Sequence, residues 1–155
     1  MFSNSSHIIK KRQKPNDIFI TPLELAYSHI KMIESDPSDK WLDPCRNDGS
    51  YYNQIETDKK DYCEILENKD FFNYYDDVDI IIQNPPYSIL DKWINKNIEL
   101  NPRIITFLIG INNLTTRRIT KLKMLKVWKW YGMSVIVIFE KNKKSIIQFD
   151  RKIYR

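Results

Sequence analysis

The ten residues Val78-Asp79-Ile80-Ile81-Ile82-Gln83-Asn84-Pro85-Pro86-Tyr87 decide the fold of this chain. Residues 78–83 form a nearly continuous apolar run, too short for a helix and lacking the alternation of a half-wet strand. They predict a strand buried on both faces, as in a parallel sheet. The run ends at Pro85 and Pro86, which remove two backbone donors and fix a rigid extended turn. A parallel strand cannot be reached through a tight hairpin, so its neighbours must alternate with crossover segments.

The flanking sequence has that alternation. Ile89, Leu90, Trp93, Ile94 and Ile98 recur at helical spacing, and 103–111 is a second buried strand. Upstream, Thr21 as N-cap, Pro22 at the first helical position and Glu24 form a capping-box start for an amphipathic helix over 22–34. Trp41 and Leu42 lead into a loop over 43–50, a short helix is expected after it, and 62–65 is a short strand. Downstream, Thr115 or Thr116 caps a basic helix that turns Ile119, Leu122, Leu125 and Trp128 inward. Residues 135–139 and 145–149 read as strands joined by a short Lys/Asn turn, an antiparallel hairpin. The result is an α/β sheet, mostly parallel with an antiparallel C-terminal hairpin strand, flanked by helices.

Composition narrows the function. A length of 155 residues suits one domain, expected over 16–155, preceded by a basic and disordered arm over 1–15. Its three glycines, Gly49, Gly110 and Gly132, fit neither a Walker loop nor a GxGxxG fingerprint. Cys45 and Cys63 are too far apart for a CxxC pair, and His7 and His29 have no partner at metal spacing, so no metal site is expected. No apolar run approaches a membrane span and the polar, basic start is unlike a signal peptide, so an intracellular location is expected. The net charge of +5 is unevenly spread. Lys10, Lys11, Arg12 and Lys14 give the first 15 residues +4; residues 115–155, with Arg117, Arg118 and Lys121, carry +10; the middle carries −9. Basic ends fit either solvated surfaces or a polyanionic partner.

The chemistry concentrates at the end of the central strand, where open α/β sheets bind ligands. The Asn84 side-chain oxygen and the Pro85 carbonyl are two acceptors that a rigid turn can aim at one amino group, and Tyr87 can stack on a planar ring. Methylating an exocyclic amine such as adenine N6 needs this pair, because that lone pair is delocalised into the ring. Asn84 has no useful basicity, so positioning and electrostatics must dominate. Upstream, Glu64 follows Asp43 by 21 positions, the spacing at which an acid reaches ribose hydroxyls in nucleotide-binding sheets. Asp70 and Phe71 follow.

On these residues the chain resembles a class I S-adenosylmethionine-dependent methyltransferase, specifically an N6-adenine DNA methyltransferase of the compact phage or large-virus type. The tetrad Asn84, Pro85, Pro86 and Tyr87 matches that family's catalytic motif, residues 43–52 resemble its cofactor loop, and 17–22 resemble the segment preceding it. The resemblance covers roughly 17–114. It implies a Rossmann-like class I methyltransferase sheet, S-adenosyl-L-methionine as cofactor, and methyl transfer to adenine N6 in DNA. By position, Thr21 would contact the methionine carboxylate, and Asp43, Pro44, Asn47 and Gly49 would line the methionine part. Glu64 would bind the ribose, Asp70 would accept from the cofactor's adenine amine, and Phe71 would pack on its ring. Asn84 and Pro85 would hold the target amine and Tyr87 would stack the extruded base. Asn47 stands where the family loop usually has glycine; asparagine best tolerates left-handed φ among the other residues.

No separate target-recognition domain is expected, which leaves Lys10, Lys11, Arg12, Lys14, Arg117, Arg118 and Lys121 to contact phosphates. DNA is the expected partner, with RNA possible, together with a homodimer or a specificity partner. The same tetrad serves RNA-base and protein-glutamine methyltransferases, and a non-catalytic nucleic-acid-binding relic would also keep it. These alternatives stay open at the level of sequence.

Overall fold

The computed structural model describes residues 18–122, 126–131, 133–143 and 146–147. The strands in chain order are β1 (Trp41–Asp43), β2 (Lys60–Tyr62), β3 (Ile80–Gln83), β4 (Ile104–Gly110), β5 (Lys126–Tyr131), β6 (Ser134–Glu140) and β7 (Ile146–Ile147). They form one seven-stranded sheet in the order β2-β1-β3-β4-β6-β5-β7. From β2 to β4 every pairing is parallel; β6 runs antiparallel to both β4 and β5, and β7 pairs parallel with β5. The α-helices are α1 (Leu23–Ile30), α2 (Leu90–Leu100) and α3 (Thr116–Leu122). No helix among the described residues is long and apolar enough to cross a membrane.

Strand alternation divides the core between the two faces of the sheet. Leu42, Ile81, Ile105, Phe107, Val135 and Val137 pack on one side with Leu90, Trp93 and Ile94 of α2. Trp41, Ile80, Ile82, Leu108, Ile136 and Ile138 pack on the other with Ala26 and Ile30 of α1. β3 is completely buried, which is why its sequence shows no alternation: both faces are covered.

A polar knot ties β3 to α2. Trp93 Nε1 donates to Gln83 Oε1 at 2.6 Å, Gln83 Nε2 donates to Asn97 Oδ1 at 2.6 Å, and Asn97 Nδ2 donates to the Trp93 carbonyl at 2.8 Å. Gln83 and Asn97 are fully buried, so every lost bond leaves an unpaired group. Gln83→Leu is expected to lower stability by about 3 kcal/mol, measured as a fall in the urea midpoint with unchanged m-value. An unchanged midpoint would show that the knot relaxes without cost.

Several sequence expectations are corrected. The basic helix does not reach Trp128: α3 ends at Leu122, and Trp128 lies in β5. The β-branched and aromatic run Val127, Trp128, Trp130 and Tyr131 favours a strand, and β6 offers it a ladder with one register shift between Val127 and Lys129. Leu125 lies outside the described residues. The C-terminal hairpin is therefore β5–β6. Of residues 145–149 only 146–147 are described; this pair, β7, sits at the far sheet edge beside β5 and not beside β6. The helix predicted over 22–34 is α1 alone, and its N-cap, Pro22, has no side-chain capping bond. Thr21 is buried and its hydroxyl is committed elsewhere, as described below. The short strand read at 62–65 is shifted upstream to β2, and the short helix after Ser50 is a single 3-10 turn, Tyr52–Gln54.

Candidate active site

Sheet order reverses between β1 and β3, since β2 follows β1 outward on one side and β4 follows β3 on the other. Crevices beyond the strand ends at such a switch point are where open α/β sheets bind ligands. A cavity of about 510 Å³ opens there, within the size range of small-molecule sites. Its wall includes Thr21, Pro44, Asn47, Glu64, Asp70, Phe71, Asn84 and Pro86 of the sequence-expected residues. Asp43, Gly49, Pro85 and Tyr87 adjoin this wall in sequence without being part of it.

The loop after β1 is held by its own polar groups. Asp48 Oδ1 accepts from the Ser50 amide (3.1 Å) and hydroxyl (2.7 Å), and the Gly49 amide donates to the Arg46 carbonyl at 2.8 Å. Gly49 has φ +89°, and a Cβ there would lie 2.6 Å from Asn53 Nδ2. Asn47 has φ 53°, the left-handed conformation that asparagine tolerates best after glycine. The backbone shape expected of a glycine is therefore kept.

Three carboxylates surround this loop. Asp43 closes β1, is fully buried, and its Oδ2 has no well-formed hydrogen bond among the described residues. Burial pushes its carboxyl up to about 7, although the amides of Cys45 and Tyr52 pull the other way. Glu64 Oε2 accepts from the Asn47 amide at 2.8 Å and Oε1 from the Leu66 amide at 3.1 Å. Each of its oxygens keeps a second lone pair for a ligand. Asp70 Oδ1 accepts from the Phe72 amide at 2.9 Å. Beyond them, Arg46 stacks over Tyr62, 4.3 Å from the ring centre, and pairs with Glu67.

The tetrad leaves the end of β3. Asn84 Nδ2 donates to Thr21 Oγ1 at 3.2 Å and lies 3.3 Å from the Phe19 carbonyl. Asn84 Oδ1 faces the Tyr87 hydroxyl at 3.4 Å, and the Asn84 carbonyl accepts from Cys45 Sγ at 3.2 Å. The amide nitrogen is thus turned inward and the oxygen has only one long contact. The Tyr87 ring stacks on Phe19, with centroids 5.9 Å apart and planes 28° from parallel.

Some placements differ from expectation. Phe71 is only 2 % exposed and packs on Trp93 at 4.6 Å, so it forms the cavity floor as a core residue. Ile65 and Leu66 are 65 % and 83 % exposed on the cavity wall. They and Phe19 were not singled out by sequence, where a short apolar pair beside an acid looks ordinary. Arg117 and Arg118 both bind Asp91, at 2.7 and 2.9 Å, and Arg118 also reaches Asn113. Arg118 is largely buried in that role and is tied to α2, while Arg117 and Lys121 remain exposed. Lys10, Lys11, Arg12 and Lys14 lie outside the described residues.

No family model and no curated protein sequence matches the chain. Among solved structures it is similar to the T. thermophilus 16S rRNA N2 G1207 methyltransferase (RsmC), solved with AdoMet and guanosine. Identity is 10 % and the TM-score 0.54, over 78 % of this chain and 40 % of that one. The chain thus spans about two fifths of that protein's length. It is also similar to a candidate RNA methyltransferase, PH1948, from Pyrococcus horikoshii, with 16 % identity and a TM-score of 0.49 over 94 % and 98 % of the two chains. The fold is that of the Rossmann-like class I methyltransferases.

Proposed function

We propose that this chain is an S-adenosyl-L-methionine-dependent methyltransferase that methylates an exocyclic amine of a nucleic-acid base, adenine N6 in DNA. The observation that carries the reading is the Asn84 amide at the end of β3, nitrogen tied inward and oxygen left as an acceptor at a cavity ringed by carboxylates. S-adenosylmethionine fits the residues present. Glu64 and Asp70 have the free lone pairs that ribose hydroxyls and an adenine amine require, and Ile65 and Leu66 offer apolar surface to a purine face. Bound there, the cofactor supplies an electrophilic methyl group.

The chain's own residues do the rest. Asn84 Oδ1 and the Pro85 carbonyl would accept the two amine hydrogens and favour a more tetrahedral nitrogen with its lone pair free to take the methyl; the proton the methylated nitrogen then sheds would leave to solvent, since neither acceptor is basic. Tyr87 holds the base plane, which requires the base to leave the duplex at a cost of a few kcal/mol. The Tyr87 face that would receive it now carries Phe19, so Phe19 must move or share the stack. Arg117 and Lys121, with the N-terminal lysines and arginine, would contact phosphates. Arg117 and Arg118 would each exchange a contact with Asp91 for a phosphate.

RNA is the second reading, supported by the T. thermophilus neighbour, which is named for methylating a guanine N2 in rRNA. Tritiated methyl transfer to duplex DNA, single-stranded DNA, RNA and bulk protein separates the readings. Label in DNA adenine is expected. Label in RNA alone moves the assignment to RNA, label in protein alone rejects nucleic acid, and no heat of binding with millimolar S-adenosylmethionine rejects the enzyme.

A further inference from the structure

We propose that His29, Tyr51 and Thr21 form a buried positioning relay that fixes which way the Asn84 amide faces. The inference rests on the reading of Asn84 as the residue that holds the target amine. An asparagine amide has nearly the same shape with its oxygen and nitrogen exchanged, so only its partners decide which atom meets the substrate.

The direction of each bond in this chain of contacts is forced from its far end. The Val137 carbonyl can only accept, so Thr106 Oγ1, 3.0 Å away, donates to it. Thr106 Oγ1 also lies 2.6 Å from His29 Nε2. Its one hydrogen is spent, so Nε2 carries the imidazole hydrogen. His29 Nδ1 is then a bare lone pair and accepts from the Tyr51 hydroxyl at 2.8 Å. The Tyr51 hydroxyl has given its hydrogen to His29, so toward the neighbouring Thr21 hydroxyl its oxygen can only accept, and Thr21 Oγ1 itself accepts from Asn84 Nδ2. The relay ends by demanding a donor at Asn84, and the Phe19 carbonyl demands the same. Asn84 Oδ1 is left for the substrate.

Four of the five side chains are buried at 5 % exposure or less, and His29 and Thr106, both at 0 %, have no solvent-exposed surface. Burial holds the His29 imidazole down to about 3, so it is neutral and keeps the lone pair the relay needs. The relay runs from α1 through the loop after β1 to β3, and its far end is seated on β4 and β6. It therefore locks the site's orientation to the sheet itself. It also accounts for the missing helix cap: Thr21 is used on Asn84 and Tyr51.

Tyr51→Phe tests the proposal, because it removes one oxygen and keeps the ring that packs edge-on to His29 at 5.4 Å. His29→Leu breaks both bonds of the imidazole, and His29→Gln restores an acceptor and a donor. Hydrogen exchange of the Asn84 side-chain amide, identified by NMR as the resonance pair missing in Asn84→Ala, is read beside kcat and the S-adenosylmethionine Kd. In Tyr51→Phe and His29→Leu the amide is expected to exchange about tenfold faster and kcat to fall on the order of 10- to 100-fold, the cost of a misplaced group. Cofactor Kd is expected to stay unchanged, and His29→Gln to recover both readouts. A purely packing role would lower the melting temperature and move neither. Unchanged amide exchange in folded Tyr51→Phe overturns the relay. Faster exchange in the two variants, with a wild-type protein that transfers no methyl, supports the relay and overturns the methyltransferase reading.

Discussion

Replacing Asn84 with alanine is expected to cut methyl transfer by about 10²- to 10³-fold, the cost of removing one preorganised group that acts on the transition state. Binding of S-adenosylmethionine is expected to persist, because the carboxylates of Glu64 and Asp70 and the loop after β1 do not depend on this side chain. The prediction follows from the division of labour at the end of β3. The Asn84 backbone is held from behind by Cys45 Sγ at 3.2 Å, and Pro85 and Pro86 fix the turn, so truncating the side chain leaves the main chain in place. What is lost is the acceptor and the donor bond to Thr21. Asn84→Asp sharpens the test. It keeps an oxygen near the substrate but turns a second one toward the Phe19 carbonyl and Thr21 Oγ1, where an acceptor meets acceptors. It is therefore expected to be nearly as impaired as alanine, although aspartate is the closest match in size. Single-turnover transfer with radiolabelled cofactor measures both variants, and calorimetry measures their cofactor affinity. Wild-type rates in Asn84→Ala would reject the site. Loss of rate together with loss of cofactor binding would move Asn84 from the amine to the cofactor.

What could be read from sequence and what could not divide along physical lines. β3 and β4 were legible because a strand buried on both faces must be apolar throughout, and the paired prolines mark its end. The left-handed turn at Asn47 was implied by the resemblance, whose loop usually has glycine there, and the φ of 53° agrees with it. Long-range commitments were not legible. Thr21 followed by Pro22 and Glu24 is a helix-cap pattern locally, yet its hydroxyl is drawn to Asn84, 63 residues away. Arg118 on its basic helix gives no local sign of Asp91, 27 residues earlier, with which it pairs. Trp128 satisfied a helical period, but an open ladder beside β6 outweighed that local preference. His29 showed only a lone histidine on an amphipathic helix; Tyr51 and Thr106, 22 and 77 residues on, give it a role. In each case a tertiary partner far along the chain overrode the local signal.

Two buried groups should oppose one another in the pH dependence of stability. His29 is held down to about 3 in the fold, against 6.5 when free, by burial. Asp43 is pushed up to about 7, against 3.8 when free, also by burial. Between about pH 3.8 and 6.5 the unfolded chain carries a proton on His29 that the folded chain lacks, so this group makes stability fall as pH falls. Over the same interval the folded chain carries a proton on Asp43 that the unfolded chain lacks, so that group makes stability rise as pH falls. Each contributes a slope of about 1.4 kcal/mol per pH unit at most, with opposite sign, and the wild-type curve is expected to be nearly flat there. Single variants remove the cancellation. Asp43→Asn leaves the histidine alone, and stability is expected to fall steadily as pH drops from 6.5 toward 3. His29→Gln leaves the aspartate alone, and stability is expected to rise as pH drops from 7 toward 3.8. The exposed carboxylates Asp36 and Asp91, both held low by their hydrogen-bond partners, add the same acid-side slope to all three proteins and drop out of the differences. Urea midpoints at constant ionic strength from pH 3 to 8 read the comparison. Parallel curves for the three proteins would mean that neither group changes its proton on unfolding.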